Sequence, residues 1–336
     1  MLTTRTSTRS VTTRVLDGFD DPSFGRARWN EFVQSGQTDV VFLTWEFQRA
    51  WSETLIGSGK PLLIVAERDG RVVALAPFYA KNYEIAFIGT GFSEWLDLIG
   101  DTRDGEVVYE LLAAARDHAP ATAEFNLNPL PARNDRAAQL DEAAARLGLK
   151  WWLKRAPVPR IDIGIDPDAA AASTRRKSLV RHENFFRRSG SFEVEHLRDG
   201  AAIAVHLPTF FEQHNARWAG RRDSAGVFVQ ASSRAFVERL IELAANTGWL
   251  RFTRVLCDGR PIAFHLGFCY RGTYSWWRPC FDIALARQSP GEVLLRQILL
   301  AAINEGVRVF DFGIGDQPYK LRFATAIDKA CWWGAY

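Results

Sequence analysis

The stretch FDIALARQSPGEVLLRQILLAAINEGVRVFDFGIGDQPYKLRF, residues 281–323, decides the fold of this chain. Its apolar residues recur at helical spacing from Glu292 to Asn304, after a short loop that contains Pro290 and Gly291. The segment from Val307 to Phe312 then has the composition of a buried strand. The pattern therefore predicts strand, tight loop, helix and strand. The free N–H groups at the start of such a helix favour an anion such as a pyrophosphate.

The bulk composition limits what the protein can be. Its 336 residues suffice for two domains, and 47% hydrophobic with 24% charged residues is typical of a globular protein. The net charge of +3 does not require a nucleic-acid partner, and the four cysteines show no metal-ligand spacing, so we expect no metal. No apolar run reaches the ~20 residues that span a bilayer. Residues 1–14 lack the apolar core of a signal peptide, so we expect a disordered tail, no membrane insertion and a cytoplasmic location.

Two halves of the chain repeat one pattern in the same order. A hairpin with an Asp-Gly turn, a Gly-Glu-Val helix start and a short strand occur within residues 65–126 and again within residues 255–311. We therefore expect an α+β fold of two tandem domains related by duplication, each a mostly antiparallel twisted sheet flanked by helices. The predicted domains are residues 15–155 and 156–336, with a cleft between them.

The two copies differ in the loop before the helix. In the second copy this loop is Arg287-Gln-Ser-Pro290, which is basic and polar, whereas the first copy has Asp101 and Asp104 there. Carboxylates at a helix N-terminus already occupy the positive end of the dipole and repel phosphate. We expect the second domain to bind the donor and catalyse, and the first to be structural and to form a wall of the cleft.

Several segments together carry a family resemblance. They are residues 43–51, 89–97, 175–179, 214–218, 281–282, 289–291 and 311–323. With the duplication, they resemble the GNAT acyltransferases, specifically the FemAB-like group and the CelD-type acetyltransferases associated with cellulose biosynthesis. The resemblance covers nearly the whole chain.

The resemblance implies an activity and its alternatives. GNAT enzymes hold the pyrophosphate of acyl-CoA on an Arg/Gln-x-x-Gly-x-Gly/Ala loop; residues 288–293 match its first two positions and depart at Val293. This implies N-acyl transfer from acyl-CoA, most simply acetyl-CoA, to a small-molecule amine, an amino acid or a sugar. FemAB-like relatives use aminoacyl-tRNA as the donor instead. A module that binds a ligand without catalysis is a further alternative.

Four residues are candidates for the proton chemistry. Asp311 ends a strand and is expected to act as the base or to orient the amine, unless it is a turn carboxylate. By the resemblance, Tyr319 protonates the leaving thiolate; the alternative is a half-buried core tyrosine. Lys320, together with Arg322, is expected to bind a substrate carboxylate or donor phosphate, or to be a solvated charge. His265 is the second candidate for the base, or a structural histidine.

The remaining candidates would bind the two substrates. The donor loop comprises Arg287, Gln288, Ser289, Gly291 and Glu292, for which the alternative is an ordinary helix start. His214, Arg217 and Trp218 share one helix face and suit an acceptor with an anionic or ring group, unless they only pack a helix end. Candidate acceptor contacts also include Trp277, Asp282, Glu94 and Asp97.

Residues 173–188 predict a basic helix. Its cations are Arg175, Arg176, Lys177, Arg181, Arg187 and Arg188. Such a cluster can follow a phosphate backbone, which would favour a tRNA-borne donor, or hold the phosphates of CoA, or simply be solvated. We expect no aromatic platform of the kind on which single strands stack.

Overall fold

The computed structural model describes residues 10–133, 135–219 and 226–336, and the chain forms two compact units. The first unit comprises Met1–Arg155 and Lys329–Tyr336, and the second comprises Ala156–Asp328. Within the described residues, no helix is long and apolar enough to cross a membrane.

The first unit contains six strands and four helices among its described residues before the chain enters the second unit. They are β1 (Val11–Val15), α1 (Arg26–Ser35), α2 (Trp45–Leu55), β2 (Lys60–Arg68), β3 (Arg71–Lys81), β4 (Glu84–Phe87), β5 (Ile99–Gly100), α3 (Gly105–Asp117), β6 (Glu124–Pro131) and α4 (Arg136–Arg146). Strand β7 (Trp151–Ile161) carries the chain into the second unit.

The second unit has a longer run of helices before its hairpins. Its elements are α5 (Pro167–Thr174), α6 (Lys177–Ser189), β8 (Phe192–Leu197), α7 (Gly200–Ala204), α8 (Leu207–Trp218), α9 (Ala231–Ala244), β9 (Leu250–Cys257), β10 (Arg260–Tyr270), β11 (Thr273–Phe281), α10 (Pro290–Asn304), β12 (Val309–Asp311) and α11 (Pro318–Phe323). Strand β13 (Ala326–Ala335) returns the chain to the first unit.

The two units share one strand order. The first runs β1-β2-β3-β4-β6-β13 and the second β8-β9-β10-β11-β12-β7. Neighbouring strands are antiparallel in both, except for the parallel pairs β4–β6 and β11–β12. Each parallel pair is connected through a helix, α3 or α10, because parallel strands need a crossover. The predicted fold of two tandem, mostly antiparallel domains is thereby confirmed.

Helix α10 anchors the core of the second unit. Its residues Leu294, Leu295 and Ile298 are buried and pack with Tyr274 of β11 and Phe310 of β12. The helical spacing in the sequence places these leucines on one face, so the helix covers the sheet and its N-terminus comes to the end of β11.

Three expected boundaries differ in the structure. Residues 11–14 of the predicted tail lie in β1, because their backbone pairs with β2; residues 1–9 lie outside the described part. The predicted basic helix is divided into α5 and α6, because Arg176 adopts an extended conformation and its guanidinium donates to the carbonyl of Arg322 (2.9 Å). Residues 329–336 pack in the first unit because β13 pairs with β6.

Candidate functional site

Strand β11 separates from β12 after three residue pairs. Thr273–Ser275 pair with Val309–Asp311, whereas β11 continues to Phe281 and keeps its antiparallel partner β10 on the other edge. Over the described residues, no strand pairs with the β12-facing edge of β11 beyond Ser275. The end of β11 is therefore open on this edge, next to the start of α10.

A pocket of about 190 Å³ occupies this opening. Its lining residues all belong to the second unit and are Arg217, Trp276, Pro279, Phe281, Ala286, Ser289, Gly291, Glu292, Leu295 and Tyr319. Aromatic and aliphatic surface dominates the walls, with a few polar groups between them, as in many small-molecule sites. The pocket is therefore the candidate active site.

Tyr319 places a hydroxyl group at this pocket. Its oxygen accepts a hydrogen bond from Nε1 of Trp276 (3.2 Å), and its ring meets Phe312 edge-on. The bond from Trp276 thus uses the phenolic oxygen as an acceptor. The structure thus brings the predicted acid to the predicted helix start.

The N-terminus of α10 offers fewer N–H donors than its sequence predicts. The N–H of Ser289 donates to Ala286 O (3.2 Å), that of Glu292 donates to Ser289 O (3.0 Å), and Pro290 has none. Within the described chain, the N–H of Gly291 makes no backbone hydrogen bond in this turn. A pyrophosphate would therefore find one backbone donor here rather than a cradle of several.

Gly291 serves close packing at this turn. A Cβ atom at Gly291 would lie 2.9 Å from Cδ1 of Phe281, which is closer than such atoms approach. The missing side chain lets the Phe281 ring lie against the first turn of α10, where both residues line the pocket. Arg287 and Gln288, also predicted for the donor loop, are not among the lining residues.

Glu292 is the pocket carboxylate and connects three helices. Its Oε1 accepts from Nη2 of Arg322 on α11 (2.6 Å), and its Oε2 lies 3.0 Å from Nδ1 of His182 on α6. The carboxylate occupies the positive end of the α10 dipole, as the carboxylates of the first copy were expected to do. The Glu292 carboxylate therefore repels a phosphate that enters the pocket, and the positive charge of Arg322 partly offsets this repulsion.

Helix α8 brings Arg217 to the pocket. The guanidinium donates to Pro279 O (3.2 Å) and lies 4.2 Å from the ring centroid of Phe281, so its orientation is fixed. His214, one turn earlier, is buried beside Phe228, with ring centroids 4.7 Å apart. Its burial, with help from the cations Arg278 and Arg217, lowers its pKa to about 3. His214 is therefore neutral at physiological pH.

Several predicted residues stabilise the site from outside the pocket. Asp311 accepts from the N–H of Gly313 (2.8 Å) as a turn carboxylate. Lys320 is buried and donates to the carbonyls of Gly313 and Ile314. Both therefore hold the loop between β12 and α11, and neither is among the lining residues.

Three more predicted acceptor contacts also lie outside the pocket lining. Asp282 caps the short helical turn before α10 by accepting from Ala284 N (3.0 Å). Trp277 lies on the face of β11 opposite to Trp276 and packs with Phe268, with ring centroids 4.9 Å apart. Trp218 is also not a lining residue.

The carboxylates predicted from the first unit show no link to this pocket. Asp97 is fully buried and forms an ion pair with Arg136 (2.6 Å) while accepting from Thr38 (2.7 Å), so it serves the interior of that unit. Glu94 is partly buried there, and neither residue lines the pocket.

The first unit fills the opening that corresponds to this pocket with its own chain. Strands β4 and β6 pair only over residues 84–86 and 124–126. Beyond that point, the N–H of Leu96 donates to Pro129 O (2.7 Å), so the loop after β4 covers the edge of β6. Asp104 also caps α3 by accepting from Glu106 N (2.9 Å). Over the described residues, the first unit therefore differs from the second at this edge.

His265 is fully buried next to the pocket wall. Its ring stacks on Trp276 with centroids 4.7 Å apart, and neither ring nitrogen has a hydrogen-bond partner among the described residues. Burial lowers its pKa to about 3, so it is a neutral, apolar-packed histidine. Because no lining residue contacts it through a ring nitrogen, it is poorly placed to act as a base.

Trp276, Leu295 and His182 contribute to the site but were not singled out for it in the sequence. Arg322 was predicted there as a cation for a substrate carboxylate or donor phosphate, and it pairs with Glu292. Trp276 could have been found through the two-residue period of a strand, which puts Trp276 and Trp277 on opposite faces. Glu292 pairs with His182, 110 positions away in the chain, and with Arg322, 30 positions away. No local sequence pattern predicts these contacts.

The second unit is similar to a known domain family. Residues 173–321 match the family model of the acetyltransferase (GNAT) domain. No curated protein matches the sequence. Among solved structures, FemX has a TM-score of 0.63 at 14% identity over 91% of this chain and 95% of its own.

Two further structures show the same fold. The C-terminal domain of a putative lysylphosphatidylglycerol synthetase from Agrobacterium fabrum has a TM-score of 0.53 at 13% identity, over 86% of this chain and 90% of its own. A tandem GNAT protein from the clavulanic acid biosynthesis pathway has a TM-score of 0.50 at 12% identity, over 96% and 98%. Such identities establish the fold alone. The protein thus has the fold of these tandem proteins, and residues 173–321 of its second unit are similar to the acetyltransferase (GNAT) domain family.

Proposed function

We propose that this protein is an N-acyltransferase that transfers an acyl group from acyl-CoA, with acetyl-CoA as the first candidate donor, to the amine of a small molecule, an amino acid or a sugar. One observation carries the proposal: the Tyr319 hydroxyl lies at a pocket bounded by the open edge of β11 and the first turn of α10. The match to the GNAT domain model over residues 173–321 covers the same elements and supports the proposal.

The pocket supplies groups for each step of direct transfer. The amine nitrogen attacks the thioester carbonyl, a C–N bond forms and the C–S bond breaks, so the nitrogen loses a proton and the sulfur gains one. Tyr319 donates the proton to the thiolate, the proton that the amine loses passes to water, and water reprotonates Tyr319. Glu292 is the carboxylate that lines the pocket, and it replaces Asp311 in our assignment as the group that orients the amine. Arg217 suits an anionic group on the acceptor.

A second candidate function is the same acyl transfer to an amine, with a different donor molecule. The α10 turn leaves Gly291 as its backbone donor, and Glu292 places a negative charge beside it. Both features weaken a pyrophosphate site, which favours aminoacyl-tRNA, the donor of the FemAB-like proteins that the sequence resembles. A ligand-binding module without catalysis would show donor binding and no turnover.

The first experiment measures both binding and turnover. The full chain is titrated calorimetrically with acetyl-CoA, and a panel of amines is screened for thiol release with a Tyr319→Phe control. Micromolar binding with amine-dependent thiol release would support the acyl-CoA proposal. Binding without release for any amine would favour the binding module. If the protein does not bind millimolar acetyl-CoA but transfers the aminoacyl group from charged tRNA, the donor is aminoacyl-tRNA and not acyl-CoA.

A further inference from the structure

The outer face of α6 carries cations that no carboxylate neutralises. Lys177, Arg181 and Arg188 are exposed and, over the described part of the chain, form no salt bridge. They follow one another at i, i+4 and i+11, which places them along one side of the helix. Phe185 lies between the two arginines on the same side and leaves 42% of its surface exposed.

The single acidic residue of α6 faces the interior. Glu183 is buried and accepts from Arg187 (2.8 Å), from Gln297 (2.6 Å) and from Arg296. Its charge is therefore used within the core. The outer face of the helix keeps a net positive charge that attracts a polyanion.

This face reaches the pocket through two contacts. Nη2 of Arg181 lies 3.4 Å from Nε2 of His182, and Nδ1 of His182 lies 3.0 Å from the pocket carboxylate Glu292. Phe185 lies one helical turn beyond Arg181. A ligand whose reactive end occupies the pocket can therefore extend along the outer face of α6.

The exposed ring has the chemistry of a base-stacking platform. The rings of Phe185 and Phe186 pack in a T-shaped arrangement, with centroids 5.2 Å apart and planes at 88°. This contact with a buried ring limits the movement of the Phe185 ring. Aromatic rings flanked by cations bind nucleobases and their phosphates. A membrane-surface helix would instead need its apolar face free, whereas the apolar residues Leu179 and Phe186 of α6 are buried.

We propose that Phe185, Arg181 and Arg188 bind the adenosine-phosphate end of the acyl carrier, with the adenine on the ring and the phosphate between the guanidiniums. This inference rests on the proposed acyl transfer in the adjoining pocket. CoA and the 3′ end of tRNA both carry an adenosine joined to phosphate, so the site takes chemistry that the two carriers share. It differs from the sequence expectation that no aromatic platform exists.

The test compares binding by the full chain and its variants. The probes are CoA, dephospho-CoA, adenosine 3′,5′-bisphosphate and a short single-stranded RNA that ends in CCA. Phe185→Ala and the double variant Arg181→Glu/Arg188→Glu are measured by calorimetry against matched controls in the first unit. The controls are Tyr83→Ala, another exposed aromatic, and Lys60→Glu/Arg71→Glu, which changes the net charge equally.

We expect both α6 variants to bind the recognised probe about tenfold or more weakly, since stacking on one aromatic contributes about 1–3 kcal/mol. The controls keep wild-type affinity, and the probe that binds identifies the carrier. Wild-type affinity in the α6 variants would overturn the inference, as would wild-type protein that binds none of the four probes. The inference would also be overturned if the α6 variants lost binding to anionic lipid vesicles but kept wild-type binding to the probes. Turnover of an acyl-pantetheine thioester, which lacks adenosine, tests the pocket separately and should be unchanged in Phe185→Ala.

Discussion

Replacing Tyr319 by Phe removes one oxygen from the pocket and keeps the ring that packs on Phe312. The lost hydroxyl accepts a bond from Trp276 Nε1 at 3.2 Å. A neutral hydrogen bond of this kind contributes about 0.5–1.5 kcal/mol to stability, which corresponds to a fall of a few degrees in Tm for a unit of this size. Folding should therefore survive the substitution.

Catalysis should suffer far more than stability. A positioned general acid contributes about 10²–10⁴-fold to the rate, so we expect kcat to fall by that factor while KM for the thioester changes little. The assay is thiol release at saturating amine, with thermal unfolding of the same samples. Tyr83→Phe, an exposed Tyr in the first unit, is the matched control.

The leaving group gives a sharper test of the same idea. A thioester whose thiol is more acidic needs less protonation, so the deficit of Tyr319→Phe should shrink with that donor. If kcat is unchanged in the variant, or if the deficit is the same for both thiols, Tyr319 is not the acid and the proposed chemistry is refuted.

Three further substitutions test the helix start at the pocket and the buried interiors of the two units. Gly291→Ala should weaken donor binding because its Cβ would meet Phe281 at 2.9 Å, whereas Gly105→Ala at the equivalent helix start has 3.9 Å of space and should be silent in calorimetry. Asp97→Ala should lower the free energy of unfolding in urea by about 3–5 kcal/mol because it leaves a buried guanidinium unpaired; a loss below about 1 kcal/mol would contradict this. The pKa of His265 is lowered to about 3, so the unfolded state binds more protons between pH 6.5 and 3 and stability should decrease as pH falls through that range. His265→Phe should reduce that slope by up to about 1.4 kcal/mol per pH unit, and an unchanged slope would show that another group titrates.

The duplication was predictable because local sequence patterns repeat in the two halves of the chain. Asp-Gly turns, Gly-Glu-Val helix starts and apolar periodicity each depend on a few neighbouring residues, so their repetition predicts two copies of one sheet order. The donor loop was only partly predictable. The sequence locates the start of α10, but whether its N–H groups are free depends on how the preceding turn folds, and Ser289 and Glu292 use theirs within the backbone.

The sequence by itself determined the tandem α+β fold, the helix that begins at the pocket and the tyrosine that follows the next strand, because these are set by spacing along the chain. Tertiary structure alone decided which of two adjacent tryptophans lines the pocket, since strand pairing fixes the face that each side chain takes. It also decided the partners of Glu292 and the exposure of Phe185. Those depend on how α6, α10 and α11 pack together, and packing joins residues that are distant in sequence.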